Sequence, residues 1–293
     1  MSMKKILVTG ADGMLSTDFI KTAAADRGIE VIGMNRKQMD ICDADSVMKA
    51  FHEIKPDWVL HTAALTNVDY CEENPEEAYR VNSEGTKNIA IHAASVEAVM
   101  VYISTCGLFG DAIKAYAETD PVELKTQYAK SKYAGEVSIK ETCSKYYIIR
   151  PGWLFGGSLQ HQNNFVYKRY LEANNKSAIN SVVNRYGCPT YTKHLSDKLL
   201  QLLKTDSYGT YHVTNSGYAS SYEYVRKIVE TWELPTEVIP VDVTMFPRKA
   251  PVPDSEMLKN QHLQKEGFDL LPHWHEAVEE YISISKKDIL RNG

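Results

Sequence analysis

The sequence predicts an α/β protein, a doubly wound parallel sheet with a smaller α+β lobe toward its C-terminal side. Two observations carry this. Through the first half, short continuous apolar runs alternate with amphipathic helical stretches, the pattern of βαβ units whose strands are covered on both faces. After Arg150 the alternation loosens into helices, isolated strands and a proline-containing stretch.

In chain order, KKILVTG (4–10) is a compact apolar run ending in glycine, and a helical pattern follows from Met14 to Asp26. Three aliphatic residues after the lysines fall short of a signal peptide's apolar core and suit a first strand. IEVIGM (29–34) is a second strand. DADSVMKAFHEIK (43–55) has an acidic start and apolar Val47, Met48, Phe51 and Ile54 on one helical face. DWVLHTAA (57–64), EAVMVYIST (97–105) and YYIIRP (146–151) are further buried-type strands, separated by helical stretches around 76–94 and 126–145. Beyond them, NNFVYKRYLEAN (163–174) and TKHLSDKLLQLLK (192–204) read as helices and GTYHVT (209–214) as a strand. SSYEYVRKIVETW, ending at Trp232, reads as a capped helix. Residues 243–262, with Pro247, Pro251 and Pro253, read as an irregular loop.

The bulk properties narrow the function classes. With 293 residues, 43% hydrophobic and 24% charged, the chain can bury a sizeable core. A net charge of −5 argues against nucleic-acid and anionic-membrane partners. No apolar run reaches the roughly 18 residues of a membrane span. The five cysteines (42, 71, 106, 143 and 188) are odd in number and form no C-x-x-C, so reduced thiols in a cytoplasmic protein are expected and no metal site is.

VTGADGMLS places Gly10 and Gly13 directly after the first strand, where backbone N–H groups at a helix start can approach a pyrophosphate. Ser16 stands where a third small residue is usual. Asp12, Met14 and Leu15 complete this cradle of a Rossmann-type, NAD(P)-binding domain. That domain is expected to span residues 1–150, with a returning segment at roughly 179–213; residues 151–178 and 214–293 form the substrate-binding lobe. At the end of the second strand Asn35, Arg36 and Lys37 precede the first acid, Asp40. A basic residue there accommodates a ribose 2′-phosphate, which favours NADPH and leaves NADH open. In QYAKSKYAGE (127–136), Tyr128 and Lys132 share a helical face at i and i+4. A tyrosine beside a lysine is a proton donor whose acidity the cation can raise.

With HTAALTNVD (61–69), YISTCGLFG (102–110), IIRPGWLFG (148–156), NNFV (163–166), GCPTYTKHLSD (187–197) and APVPDSEML (250–258) in this order, the chain resembles an extended short-chain dehydrogenase/reductase. Within that superfamily it most resembles the dTDP-4-dehydrorhamnose reductases. The resemblance implies an NADPH-dependent reduction of a 4-keto-6-deoxy sugar on a nucleoside diphosphate. It implies Tyr128 as general acid, Lys132 on the nicotinamide ribose, and Thr105 hydrogen-bonded to the carbonyl oxygen. Ala63 and Ala64 would leave room for the cofactor, and Asp40 and Ile41 would flank the adenine. Trp153 would pack against the sugar, with Cys106, Asn164 and Arg248 also on the substrate side. A homodimer is an open expectation.

Three departures concern the substrate side. The family's usual STDYVF is STCGLF here, replacing an acid and an aromatic with Cys106 and Gly107. An arginine common before a late proline is Val252, with Arg248 or Lys249 as neighbouring replacements. The usual Asp-Gln before GxPT is Asn184-Arg185. These keep open a UDP-linked keto-sugar, an epimerase on the same scaffold, and a non-catalytic NADP-binding regulatory subunit. The remaining candidates read as structural. Cys106 suits a buried thiol, His61 a core histidine, and EENPEE (72–77) a solvated helix start. SSYEY reads as a cap, and His273 and His275 lack further ligands at useful spacing.

Overall fold

The apolar runs of the first half pair side by side because each carries branched residues on both faces, which only a doubly covered sheet can bury. In a computed structural model describing residues 3–292, they form one wholly parallel six-stranded sheet. Its strands are β1 (Lys4–Thr9), β2 (Ile29–Met34), β3 (Trp58–His61), β4 (Val99–Ile103) and β5 (Tyr146–Arg150). The sixth is the later β10 (Gly209–His212), and the spatial order is β2-β1-β3-β4-β5-β10. Successive residues point to opposite faces: Ile6, Val8, Leu60 and Val101 enter one core, Leu7, Val59, Met100 and Tyr102 the other.

Helices α1 (Met14–Ala24) and α8 (Thr192–Leu203) cover the first face with Leu15, Phe19, Leu195 and Leu199. The second face is covered by α2 (Ala44–Ile54), α5 (Thr86–Ser95) and α6 (Gln127–Thr142), through Phe51, Ile89 and Ile139. Asp43 caps α2 by accepting from the N–H groups of Asp45 and Ser46, and Thr126 caps α6 by accepting from Ala129. The helical stretch expected around 76–94 is broken into α3 (Val68–Glu73), α4 (Pro75–Tyr79), a π-helical turn at Arg80–Gly85, and α5. In that turn Asn82 accepts the N–H of Leu65 and donates to its carbonyl, which ties down the loop after β3.

The smaller lobe holds α7 (Phe165–Asn174), α9 (Ser221–Trp232) and α11 (Trp274–Asn292) around Phe155, Tyr224, Trp232 and Tyr281. Its short strands pair as β6 (Trp153–Phe155) with β9 (Pro189–Tyr191), and β7 (Ala178–Val182) with β13 (Glu237–Val241). In a three-stranded group, β8 (Tyr186–Gly187) lies between β12 (Ala219–Ser220) and β14 (Ser255–Glu256). Ser220 and Glu223 form a reciprocal capping box on α9.

Two expectations are corrected. The return to the large sheet does not begin near residue 179. β7 pairs with β13, and Ile179 packs with Val225, Val229 and Val238, so only α8 and β10 cross back. The 243–262 stretch contains a 3₁₀ turn at Val243–Met245, β14, and the first residues of α10 (Gln261–Lys265). β14 exists because β8 supplies its partners, a constraint with no local signature. No helix among the described residues is long and apolar enough to cross a membrane, and all five cysteines are free.

One buried carboxylate ties the sheet to α6. Glu136 accepts from Arg150 Nε at 2.9 Å, Arg150 Nη2 at 2.7 Å and Ser104 Oγ at 2.6 Å, and both charged side chains are almost wholly buried. Removing one member leaves a desolvated charge without its partner. Glu136→Ala is expected to lower unfolding stability by about 3–5 kcal/mol in urea denaturation. A loss below ~1 kcal/mol would show that water replaces the carboxylate.

Candidate active site

The strand order reverses at β1 and β3, so their carboxyl ends diverge and leave a crevice. A cleft of about 700 Å³ opens there, bounded by the β1–α1 turn, the ends of β3 and β4, and α6. Gly10 makes the turn possible. Its φ is +64°, and a Cβ would stand 2.9 Å from the Ala63 Cα. Gly13 is the N-cap of α1 and supplies no side-chain cap, so the first N–H groups of the helix have no side-chain acceptor there. Ser16 is fully buried, with Oγ 2.6 Å from Thr62 Oγ1, which confirms its part in close helix–strand packing. Of the residues expected at the cofactor, Gly10, Asp12, Gly13, Met14, Leu15, Ala63 and Ala64 line this cleft.

At the β2 end the arrangement is more open. Asn35 uses its Oδ1 to accept from the N–H groups of Lys37 and Gln38, closing the turn. Asp40 accepts the N–H of Cys42 and lies 3.6 Å from Arg36 Nε; both hold its carboxyl below the ordinary range. Arg36 is largely exposed. Ile41 is buried among Met39, Val47 and Phe51, so its side chain serves the core rather than a ligand. His61 is the core histidine its sequence context suggests. Its ring nitrogens meet Thr9 Oγ1 at 2.7 Å and Thr86 Oγ1 at 3.0 Å, and burial pushes it down to about 3, so it stays neutral.

Tyr128, Lys132 and Thr105 all line the same cleft. Tyr128 projects from the first turn of α6, Lys132 from the next, and Thr105 follows β4. Burial, with Cys106 behind it, raises the Tyr128 phenol well above its ordinary value, while the hydrogen bond to Thr105 opposes this. Thr105 Oγ1 also accepts the N–H of Gly107 at 3.1 Å. Lys132 is buried with its ammonium 4.1 Å above the centre of the Tyr102 ring. Burial brings it down to about 7, opposed by Glu136. The acidifying effect of Lys132 on Tyr128 expected from the i, i+4 spacing is thus displaced by desolvation, because the ammonium faces Tyr102. What results is a tyrosine that keeps its proton and a lysine poised to gain partners.

The substrate-side expectations fare unevenly. Trp153 donates from Nε1 to Glu256 Oε2 at 2.7 Å. Cys106 is buried 3.7 Å from Glu256 Oε1, and desolvation raises its thiol well above the usual value, so it is no nucleophile. Asn164 is a correction. It is fully buried, caps α7 by accepting from Tyr167, and donates to Ser158 and Tyr281. Its neighbours Gln162 and Asn163 line the cleft instead. Arg248 is bound to Asp69.

Sequence reasoning missed the loop carrying those two residues. His161 in this loop has Nε2 at 3.2 Å from the Asp12 carbonyl, and the Gly157 N–H donates to Asp18 at 3.0 Å, so the loop leans over the cradle. No local motif marks it. Thr62, whose Oγ1 donates to the Thr9 carbonyl at 2.6 Å, was within reach, since it directly precedes Ala63.

The family model described as the RmlD substrate binding domain matches residues 3–286. The spore coat polysaccharide biosynthesis protein SpsK of Bacillus subtilis is 36% identical over 281 residues, covering 96% of this chain and 97% of that one. Two crystal structures superpose with a TM-score of 0.92, each covering 96% of this chain and 99% of the other. One is a dTDP-4-dehydrorhamnose reductase from Clostridium acetobutylicum, 35% identical. The other is the dTDP-4-dehydrorhamnose reductase of Bacillus anthracis in complex with NADP, 32% identical.

Gly10→Val combines a left-handed backbone with a clash against the β3 end. It is expected to weaken NADPH binding by ~10-fold or more in a fluorescence titration, with far-UV circular dichroism unchanged. Unaltered affinity would place the cofactor elsewhere.

Proposed function

The chain belongs to the RmlD substrate binding domain family, and from that premise we propose that it reduces the keto group of a nucleotide-linked 4-keto-6-deoxy sugar, as a dTDP-4-dehydrorhamnose reductase does. The observation that carries this is the convergence of Tyr128, Lys132 and Thr105 on the cleft that holds the glycine cradle.

The residues present fit NADPH. The cradle has a positive-φ glycine packed against Ala63, an uncapped helix start, and the exposed Arg36 at the β2 end for a 2′-phosphate. Bound NADPH supplies the hydride that adds to the carbonyl carbon. Tyr128 gives its phenolic proton to the carbonyl oxygen as negative charge develops there, completing the alcohol. Its strongly raised pKa keeps it protonated across the physiological range, so the proton is in place before the reaction begins. Thr105 donates to the same oxygen, a fixed dipole aimed where charge appears. Lys132 is held by Tyr102 until ribose hydroxyls offer it oxygen acceptors. Oxygen acceptors there would favour the charged form of Lys132, which would stabilise the phenolate that Tyr128 becomes.

The large sheet serves the cofactor and the smaller lobe the sugar nucleotide, in a cytoplasmic enzyme of nucleotide-sugar and cell-surface polysaccharide biosynthesis. The intact trio weighs against a purely regulatory NADP-binding subunit. With dTDP-4-keto-6-deoxy-sugar as substrate, NADPH consumption is expected, and Tyr128→Phe is expected to lower kcat by ~100-fold or more with NADPH affinity unchanged. A Tyr128→Phe variant as fast as the parent would remove the tyrosine from the reaction.

A further inference from the structure

The sugar nucleotide carries a diphosphate whose charge the protein must meet, and the cation expected to meet it is already engaged. Arg248 directs Nε and Nη2 to Asp69 Oδ2 at 3.2 and 3.1 Å, and Lys249 pairs with Glu73. Val252 offers no charge.

Arg185 is differently placed. It immediately precedes β8, whose Tyr186 and Gly187 pair with Ser255 and Glu256 on one side and with Ser220 and Ala219 on the other. Its own carbonyl accepts the Ser221 N–H at 2.9 Å, so its backbone is fixed. Its Nε is buried and has no hydrogen-bond partner. Desolvation depresses its pKa; Glu256, Arg248, Asp254 and Asp69 act on it only through the longer-range field, Arg248 lowering it further and the acids raising it. A half-buried guanidinium without an acceptor is costly, and that cost is relieved when a ligand brings one.

The surroundings say which ligand. Trp153 lies so close over β8 that a Cβ on Gly187 would stand 2.3 Å from the indole. The indole N–H holds Glu256, whose other oxygen lies 3.7 Å from Cys106 Sγ and 3.1 Å from where a Gly107 side chain would begin. Glu256 therefore adjoins the Thr105–Gly107 segment and acts electrostatically on both Tyr128 and Arg185. In a pyranose, C4 and C1 are opposite corners of the ring. With the C4 carbonyl at Tyr128, the C1-linked diphosphate lies on the far side of the ring from that tyrosine.

Resting on the proposed reaction, we propose that Arg185 binds the diphosphate of the sugar nucleotide, Arg248 being paired with Asp69. Two of its donors suit adjacent phosphate oxygens, the fork geometry that a lysine or glutamine lacks.

The test is calorimetric titration of the NADP⁺-loaded protein with dTDP and with UDP. Two variants are compared, Arg185→Gln and Arg185→Met, the second keeping an aliphatic stem for packing. Both are expected to bind the preferred nucleotide ~10- to 100-fold more weakly than the parent, with NADP⁺ affinity within twofold. Parent-like nucleotide affinity in either variant overturns the assignment, as does an equal loss of NADP⁺ binding in both, which would mark a structural role. A parent protein that binds neither dTDP nor UDP would overturn the proposed reaction itself, and this assignment with it.

Discussion

The geometry of the cleft depends on one buried carboxylate. Glu136 sits two turns beyond Tyr128 and one beyond Lys132 on α6. It bonds Ser104, the residue before Thr105, and Arg150, the residue before the Pro151–Gly152 wall of the cleft. A single side chain thus fixes the positions of the proton-bearing helix, the β4 end and the β5 end relative to one another. Such a pair contributes little net stability, because desolvation of both charges offsets their attraction. Its value is geometric: three segments from distant parts of the chain cannot drift apart without exposing a buried charge. Glu136 also works against the desolvation that lowers the Lys132 pKa, so the same group that positions the helix adjusts its lysine.

The second constraint is steric. Where β1 and β3 part, the β1–α1 turn must lie against the β3 end, and Gly10 allows this at a distance any side chain would forbid. Ser16 and Thr62 close the contact from the helix side. The cradle and the proton-transfer groups then face each other across one cleft because the parallel sheet sends all its carboxyl ends the same way. Topology thus brings Thr105, after a strand end, and Tyr128 and Lys132, on α6, to one cleft.

Much of this was legible in the sequence because its physical causes are local. Strand and helix periodicity located the six sheet strands, and the glycine turn and the Tyr128–Lys132 pair, both marked by local spacing, line one cleft. Where causes are tertiary, sequence reasoning failed. The Asn164 side chain is drawn inward by Tyr281, more than a hundred residues away in sequence. Arg248 meets Asp69 across a similar gap, and β14 forms only because β8 lies beside it. The field around Tyr128 could not be read from spacing either. The i, i+4 rule puts Lys132 on the correct face, but burial and the Tyr102 ring decide what its charge does.

Hydride addition at a sugar carbonyl in this cleft is tested most directly by isotope transfer. Turnover of a dTDP-linked 4-keto-6-deoxy sugar with NADPH deuterated at the transferable position, followed by NMR of the product, reads where the hydride goes. Deuterium at sugar C4, with none incorporated there from D₂O when unlabelled NADPH is used, is the predicted result. Product without cofactor-derived deuterium at C4, or deuterium at another carbon, would contradict it.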